Sequence, residues 1–329
     1  MKKPLIWKSA VAPMMISFLE EKQALGYSYR TEEGTLNRLD RQLADLPHSK
    51  KSIPRETVLK LTEALPHEQN SNRSRRMSTL NEFLRFMVRQ GHKAVLIPPR
   101  HFPVYHRSFK ARIFTVREIQ ALLAAADVFP KSLEFPLLHH EVPMIFRLFV
   151  NMGLRLNEAL LLKTDAVDLE QGLIRIESGK NYVSRLLPMS EEMFERVRQY
   201  ERLLREKGGT GGYFFPGTRS PHFHCESMRK YFHLLLQKTQ IPYRGPGVGP
   251  RIHDLRHTFA VQCLNEWIRD KVDLLAALPI LSKYMGHIGL SGTQRYLQLT
   301  AELYPEIVQK LESAYANLIP LWEGDHEVD

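Results

Sequence analysis

Apolar residues recur at helical spacing in the first part of the chain. One run places two methionines, Phe18 and Leu19 on the same side of a helix, and Gly26 ends it. Three more helices are predicted where suitable N-terminal residues precede apolar positions: from Thr31, from Ser52 to about Leu65, and from Ser71 to Val88. The pattern therefore predicts a small all-helical domain over residues 1–95.

Prolines, basic residues and aromatic residues alternate between Ile97 and Ala111, in the run PPRHFPVYHRSFKA. Proline lacks an amide donor and disfavours helix in the residue before it, so this run indicates an extended linker. We place the linker at residues 96–112 and a second domain at 113–329. A chain of 329 residues is long enough for two such domains.

The second domain again begins with helical patterns. Thr115 and Glu118 form a capping-box pattern for a helix through Ala125, a buried helix is predicted from Val142 to Met152, and another begins near Leu156. Residues 173–177 and 182–188 alternate like strands around a Ser-Gly-Lys-Asn turn, which predicts a hairpin. The remainder is helical, including an amphipathic stretch at 301–319. The predicted class is mainly α with a small antiparallel sheet.

The positive charge of the chain is concentrated near its beginning. The net charge is +10, and residues 1–112 hold 21 lysines and arginines against 10 acids. Such a local excess suits contacts with DNA phosphates, although charge alone is equally compatible with a solvated basic face. The candidate DNA-binding residues all lie in the acid-poor stretch from Arg73 to Arg112: Arg73, Arg75, Arg76, Arg85, Arg89, Lys110 and Arg112.

Several other classes of protein are disfavoured by the sequence. The sequence contains no run of about 18 apolar residues, the length that a membrane-spanning helix needs. The two cysteines, Cys225 and Cys263, are far apart, which fits a reducing cytoplasmic setting. The GGTGG run at 208–212 lacks the Lys-Ser/Thr of a phosphate-binding loop. His222, His224 and Cys225 lack a fourth ligand at zinc-site spacing, so we expect loop residues there and no metal or other cofactor.

Three blocks of polar residues could carry chemistry. Arg155 and Glu158 lie one turn apart in GLRLNEAL, and His253 and Arg256 are spaced likewise in HDLRHTFA. The third block has His287 in MGH and Tyr296 in TQRYLQL. Each block alone is more often a surface ion pair or a structural residue than a catalytic one. Their combination in one order is what makes them informative.

In that order the blocks resemble the tyrosine recombinase/integrase family, which includes phage integrases, Xer-like recombinases and transposon integrases. The resemblance covers about residues 113–300 and includes a lysine in the predicted hairpin. It implies a helical, SAM-like core-binding domain followed by a mostly helical catalytic domain. The segment between Arg256 and His287 is longer than in compact members of the family.

The resemblance also implies roles for individual residues. Arg155 and Arg256 would clamp the phosphate, with Glu158 supporting Arg155. Tyr296 would be the nucleophile and His253 its proton acceptor, while His287 would donate to a phosphate oxygen. Lys180, in the hairpin turn five residues before Arg185, would be the general acid in preference to Lys163 or Lys207.

The implied function is cleavage and rejoining of DNA through a 3′-phosphotyrosyl intermediate, without metal or ATP. Its partners would be double-stranded DNA with specific recombination sites and further copies of the chain in a tetramer; accessory recombinases are an open possibility. The role would be integration, excision or transposition of a mobile element. Two alternatives are a type IB topoisomerase, whose family usually carries lysine where His253 stands, and a non-catalytic DNA-binding accessory protein of the same fold.

Overall fold

The structure is a computed structural model that describes residues 5–104, 111–177, 184–208, 212–218, 220–245, 247–287 and 296. The chain divides into two compact units, residues 1–108 and 109–329. The division falls inside the segment interpreted from sequence as a linker. None of the helices in the described part of the chain is both long and apolar enough to cross a membrane.

In its described residues, the first unit contains the four predicted helices and one short pair of strands. The helices are α1 (Ala12–Ala24), α2 (Arg30–Ala44), α3 (Arg55–Thr62) and α4 (Asn70–Arg89). The strands β1 (Ser52–Ile53) and β2 (Lys93–Ala94) pair in parallel. Sequence patterns did not indicate these strands, because two residues are too few to show an alternation.

The core of the first unit is formed by one apolar side of each helix. Phe18 of α1 packs edge to face against Phe83 of α4, with ring centroids 5.9 Å apart. The buried carboxylate of Asp40 in α2 accepts hydrogen bonds from the backbone amides of Lys8 and Ser9, at 2.5 and 3.0 Å. The segment before α1 is thereby fastened to α2.

The beginning of the predicted linker packs on the first unit. Ile97 is buried in its core, and the Ile97 amide donates to the side chain of Asn81 at 2.8 Å. Residues Pro99–His101 form a short 3-10 turn. Ile97 and the partly buried Phe102 thus pack on the first unit, in a segment where the proline pattern indicated an extended linker. Residues 105–110, including Lys110, lie outside the described residues.

The second unit is built from seven helices and three strands in its described part. The helices are α5 (Val116–Asp127), α6 (Leu138–Met152), α7 (Leu156–Leu160), α8 (Glu191–Glu206), α9 (Cys225–Lys238), α10 (Ile252–Arg269) and α11 (Leu274–Met285). The capping box predicted at the start of α5 is confirmed: the Glu118 amide donates to the Thr115 hydroxyl at 3.2 Å, and the Thr115 amide to the Glu118 carboxylate at 2.9 Å. The helix predicted at 301–319 lies outside the described residues.

A three-stranded antiparallel sheet lies beside these helices. Its strands, in spatial order, are β3 (Val167–Asp168), β4 (Leu173–Ile176) and β5 (Arg185–Pro188). The predicted hairpin is confirmed, since Ile174 pairs with Leu187 and both side chains are buried against the core. The turn at 178–183, with Lys180, lies outside the described residues. The third strand was not predicted, again because it has only two residues.

Helix α6 is the central element of the second unit. Almost all of its residues are buried, and it packs against α5, α8 and α10. It ends at Gly153, which has a left-handed backbone with φ +60°. A Cβ added at Gly153 would lie 2.5 Å from the ring of Phe259 in α10, so only glycine allows this close approach. The end of α6 is therefore held directly against α10.

Glu141, in the first turn of α6, is a buried acid that generates a stability prediction. It is 4% exposed, and no described group donates a hydrogen bond to its Oε1. Burial raises the pKa of Glu141 to about 8 from an ordinary value of 4.5. Between these two values the folded chain holds a proton that the unfolded chain has lost. The free energy of unfolding should therefore fall by up to about 1.4 kcal/mol per pH unit as pH rises through that range.

Glu141→Gln, which mimics the protonated acid, should remove this slope and raise the Tm at pH 8 more than at pH 5. Thermal melts of both proteins between pH 5 and 8 measure the effect. The exposed Glu170 offers the matched control, and Glu170→Gln should leave the slope in place. An equal change in Tm at pH 5 and pH 8 for Glu141→Gln would contradict the assignment of a buried neutral carboxyl.

Candidate active site

Arg155 and Glu158 form the first part of the site, at the start of α7. Arg155 precedes the helix, and its backbone amide donates to the Glu158 carboxylate at 2.9 Å. Its Nη1 donates to the same carboxylate at 2.7 Å, so the side chains of Arg155 and Glu158 are paired. The Arg155 side chain is partly exposed, which leaves donors available to a ligand.

A second arginine, Arg185, binds the same carboxylate from the start of β5. Its Nη1 and Nη2 donate to the two oxygens of Glu158 at 3.1 and 2.8 Å. The Arg185 side chain is 7% exposed. Sequence analysis used Arg185 only as a landmark for choosing Lys180, so this contact was missed. The available signal was an arginine at the beginning of a predicted strand, which carries no indication of a partner 27 residues away.

Helix α10 contributes His253 and Arg256. Arg256 is 1% exposed, and its Nη1 donates to the backbone carbonyl of Gly153 at 2.6 Å. Its guanidinium also lies 3.9 Å from the Glu158 carboxylate. Three guanidinium groups, from Arg155, Arg185 and Arg256, therefore surround one carboxylate in the described part of the site. The cluster has an excess of two positive charges, which suits a phosphate.

The C-terminal end of α11 is held by the same three arginines. Consecutive backbone carbonyls accept one arginine each: Tyr284 from Arg185 at 2.6 Å, Met285 from Arg256, and Gly286 from Arg155 at 2.9 Å. Arginines at these carbonyls suit the negative end of the helix dipole, and they bind groups of the kind that helix ends commonly leave without partners inside the helix. His287 follows at once. The arginine cluster therefore holds the backbone immediately before His287.

Tyr296 meets histidines from two of the sequence blocks. Its side chain is 2% exposed, and its ring stacks on that of His287, with centroids 5.9 Å apart and 24° between the planes. The ring of His257 lies 5.5 Å away from Tyr296, and 4.6 Å from the ring of His253. The histidine that sequence analysis passed over, His257, thus lies between the predicted base and the predicted nucleophile. Its place beside Arg256 in HDLRHTFA was the available signal.

The charges of the site shift the pKa values of its members. Burial raises the pKa of Glu158, but hydrogen bonds from Arg185 and Arg155 outweigh burial and bring it to about 2. Burial and the nearby arginines lower the pKa of Arg256 to about 10 and that of His287 to about 4. Near neutral pH the site therefore contains an ionised Glu158, a charged Arg256 and an uncharged His287.

Six of the seven residues predicted for the site, counting Glu158, lie in the described part of the chain, and contacts join them into one group. Lys180 lies outside the described residues. Of its alternatives, Lys163 places its Nζ 3.6 Å from the ring centroid of Tyr213, and Lys207 follows the end of α8. His224 caps α9, and no group of three or more metal-binding side chains forms among the described residues.

The basic residues of the first unit differ in accessibility. Arg75, Arg85 and Arg89 are exposed on α4, and the last two pair with glutamates. Arg73 donates to the carbonyl of Thr62 at 2.8 Å, and, in the second unit, Arg112 pairs with Glu118.

Arg76 is buried, whereas Arg75, Arg85 and Arg89 of the same helix are exposed. It is 6% exposed, and it donates to the carboxylate of Glu68 at 2.6 Å and to the carbonyl of Glu63 at 2.8 Å. A third bond goes to the carbonyl of Leu61. Its guanidinium fastens the α3–α4 connection, so we remove Arg76 from the predicted DNA contacts.

Comparisons with known proteins agree with the geometry. The sequence model of the phage integrase family matches residues 112–302. The chain belongs to the phage integrase family of tyrosine recombinases. A candidate integrase/recombinase of Sinorhizobium fredii is 27% identical over 307 residues, which cover 90% of this chain and 95% of that protein. The tyrosine recombinase XerD of Xanthomonas axonopodis pv. citri is 31% identical over 238 residues, covering 68% of this chain and 70% of XerD.

Solved structures share the fold of this recombinase. The XerH site-specific recombinase bound to palindromic difH substrate, a post-cleavage complex, has a TM-score of 0.62 at 17% identity, covering 93% of this chain and 84% of XerH. A lambda integrase fragment, residues 75–356, crystallised as a dimer bound to a COC′ core site has a TM-score of 0.58 at 17% identity, covering 85% of this chain and 94% of that one. The predicted fold class is confirmed.

Gly286 of this tyrosine recombinase yields a prediction, because it lies between two arginines. It has φ +64°, and an added Cβ would lie 2.7 Å from Nη1 of Arg185 and 3.3 Å from Nη1 of Arg155. Gly286→Ala should displace the cluster and slow DNA cleavage by about 100-fold, since misplacement on the order of 1 Å has that effect. Single-turnover cleavage measures the change.

The control for Gly286→Ala is Gly208→Ala. Gly208 has φ +72° and no neighbouring atom within 4 Å of an added Cβ, so it reproduces the backbone strain without the contact. Equal losses of cleavage in the two variants would mean that strain, and not contact with the arginines, explains the effect.

Proposed function

We propose that this recombinase cleaves and rejoins DNA through a 3′-phosphotyrosyl intermediate formed by Tyr296. The observation that carries the proposal is the contact between the rings of Tyr296 and His287. The two backbone carbonyls just before His287 are bound by Arg155 and Arg256. A phenol and a pair of guanidinium groups are thereby gathered around one position. This combination suits attack on a phosphodiester, whose transition state gains negative charge on its oxygens.

Arg155 and Arg256 stabilise the developing charge on the two non-bridging oxygens. A guanidinium has five donors in a fixed plane, so each arginine can hold a protein carbonyl and a phosphate oxygen at the same time. The carbonyl contacts fix the orientation of the planes before DNA arrives. Preorganised donors of this kind accelerate reactions because they need no reorientation in the transition state.

The proton transfers are assigned to the remaining polar residues. As the Tyr296 oxygen bonds to phosphorus, the phenol proton passes to His253, and the bond from phosphorus to the 5′ oxygen breaks. Lys180 gives a proton to the departing 5′ oxygen, and His287 donates to a non-bridging oxygen. The reverse reaction with the 5′ hydroxyl of a partner strand rejoins the DNA and releases Tyr296. Phosphodiester bond energy is kept in the tyrosyl link, so no ATP is needed.

Exchange of two duplexes requires four strand cleavages, which supports assembly as a tetramer on DNA. We further propose that the substrates are duplexes with specific recombination sites at the ends of a mobile element, acted on in the cytoplasm. The exposed residues Arg75, Arg85 and Arg89, together with Arg73, Lys110 and Arg112, are proposed as phosphate contacts. Such contacts position a duplex and make affinity fall with salt.

Replacement of the nucleophile tests the central step. Tyr296→Phe should bind DNA and form no covalent adduct, because it lacks the phenolic oxygen. Wild type and variant would be incubated in EDTA with labelled duplexes from the region around the gene, and adducts separated on denaturing gels. The exposed Tyr243 is the matched control, and Tyr243→Phe should form adduct like the wild type.

Each outcome of the adduct assay distinguishes one alternative. Adduct in Tyr296→Phe would remove Tyr296 as nucleophile. DNA binding without adduct in the wild type would favour a non-catalytic accessory protein. Adduct followed only by relaxation of supercoils, with no exchange of strands, would favour the type IB topoisomerase activity.

A leaving group that needs no proton tests Lys180. Lys180→Ala should slow cleavage of an ordinary duplex by about 100- to 10,000-fold, the usual contribution of a general acid. A substrate with sulfur in place of the 5′ oxygen should restore the rate, because a thiolate departs without protonation. Lys163→Ala is the control and should cleave both substrates at the wild-type rate. Rescue of the Lys163 variant in place of the Lys180 variant would reverse the assignment.

A further inference from the structure

We infer that Arg185 is a positioning residue of the active site, which holds Glu158 and the C-terminal end of α11 so that Arg155 and His287 face the reacting phosphate. The inference rests on the proposed function. It assigns a role to a residue that sequence analysis used only as a landmark. All three guanidinium nitrogens of Arg185 donate to protein groups, so it would act through its neighbours.

The contacts of Arg185 leave it little freedom to serve DNA. Its Nη1 and Nη2 bind the two oxygens of Glu158, and its Nε binds the carbonyl of Tyr284 at 2.6 Å. Three of the five donors of the guanidinium, one on each nitrogen, therefore have protein partners. A planar fork that binds both oxygens of a carboxylate fixes orientation as well as distance.

Through Glu158, Arg185 influences Arg155. The Glu158 carboxylate is shared, with Arg155 donating to Oε1 at 2.7 Å and Arg185 donating to both oxygens. Because two arginines share the single negative charge of Glu158, that charge offsets only part of the positive charge of Arg155. The remaining positive charge can attract a phosphate. Loss of Arg185 would leave Glu158 to Arg155 and, more distantly, to Arg256.

Through Tyr284, Arg185 influences His287. It is the first of the three arginines that bind the consecutive carbonyls at the end of α11, and it also lies against Gly286. His287 is faced by Arg256, Arg155, Arg185, Glu158 and Tyr296. The low pKa of His287 has burial as its largest cause and the three arginines as further causes. Removal of Arg185 should therefore raise that pKa, whereas a remote structural defect would not.

Lysine could not replace these contacts. Its single ammonium is a point charge, which cannot bind both oxygens of Glu158 and the Tyr284 carbonyl with the geometry of a planar fork. Arg185→Lys should therefore keep the charge and lose the orientation. Arg185→Gln should lose both. The pair of variants separates electrostatic from geometric effects.

The test combines cleavage with a titration that needs no DNA. Arg185→Gln should bind the duplex identified by the adduct assay as the wild type does and cleave it about 100-fold more slowly in single turnover. In the free protein, NMR of ¹³C-labelled histidine, assigned with His287→Asn, should show the pKa of His287 moved toward its ordinary value. Arg185→Lys should recover part of the cleavage rate and most of the low pKa.

Arg175→Gln is the matched control, because Arg175 lies on the neighbouring strand β4 with an exposed side chain that pairs with Glu177. It should change neither readout. Wild-type cleavage and an unchanged His287 titration in Arg185→Gln would overturn the inference. So would loss of DNA affinity with an unchanged titration, since Arg185 would then act on DNA directly.

Two further outcomes are distinguishable. If Arg185→Gln does not fold by circular dichroism, Arg185→Lys carries the test, and wild-type cleavage by that variant would overturn the need for a planar fork. If the wild type cleaves no DNA at all, the proposed function fails, while the His287 titration still tests whether Arg185 sets the environment of the site.

Discussion

The arginine cluster of the candidate active site depends on one buried carboxylate. Glu158 accepts hydrogen bonds from Arg155 and Arg185, and Arg256 lies nearby. Without it, three guanidinium groups would repel one another in a region poor in water. Removing one partner from a buried ion pair typically costs roughly 3–5 kcal/mol, because the other charge remains without compensation. Glu158 therefore makes the concentration of positive charge compatible with folding, and it leaves an excess that a phosphate can neutralise.

The same charges connect parts of the chain that are distant in sequence. Arg155 and Gly286 are 131 positions apart, Arg256 and Gly153 are 103 apart, and Arg185 and Tyr284 are 99 apart. Each arginine binds a backbone carbonyl at a helix end, where such groups lack partners within the helix. The close packing of Gly153 against Phe259 and of Gly286 against Arg185 brings these ends within reach. Local glycine geometry thus permits the long-range contacts.

Local features of the fold could be predicted from the sequence, and most contacts of the site could not. Periodicity gave the helices of the first unit, and capping chemistry gave the start of α5, because both depend on residues within a few positions of each other. The identity of Arg155, His253, Arg256, His287 and Tyr296 as a group came from the order of motifs. Charge alone misassigned Arg76, since a cluster of arginines does not show which side chain turns inward. Arg185 was missed because its partners are visible only in three dimensions, and His257 because its place beside Arg256 does not show that its ring faces Tyr296.

The uncharged state of His287 bears on how the site responds to its substrate. In the proposed function, a phosphodiester bound by Arg155 and Arg256 would add one negative charge to the site. That charge would offset part of the repulsion that lowers the pKa of His287, so we expect the pKa to rise on binding. His287 stacks on Tyr296, and any charge it gains lies close to the phenol and favours ionisation of that group. In the proposed mechanism the phosphate therefore has two opposite effects on Tyr296: its own negative charge opposes loss of the phenol proton, and a positive charge gained by His287 favours it.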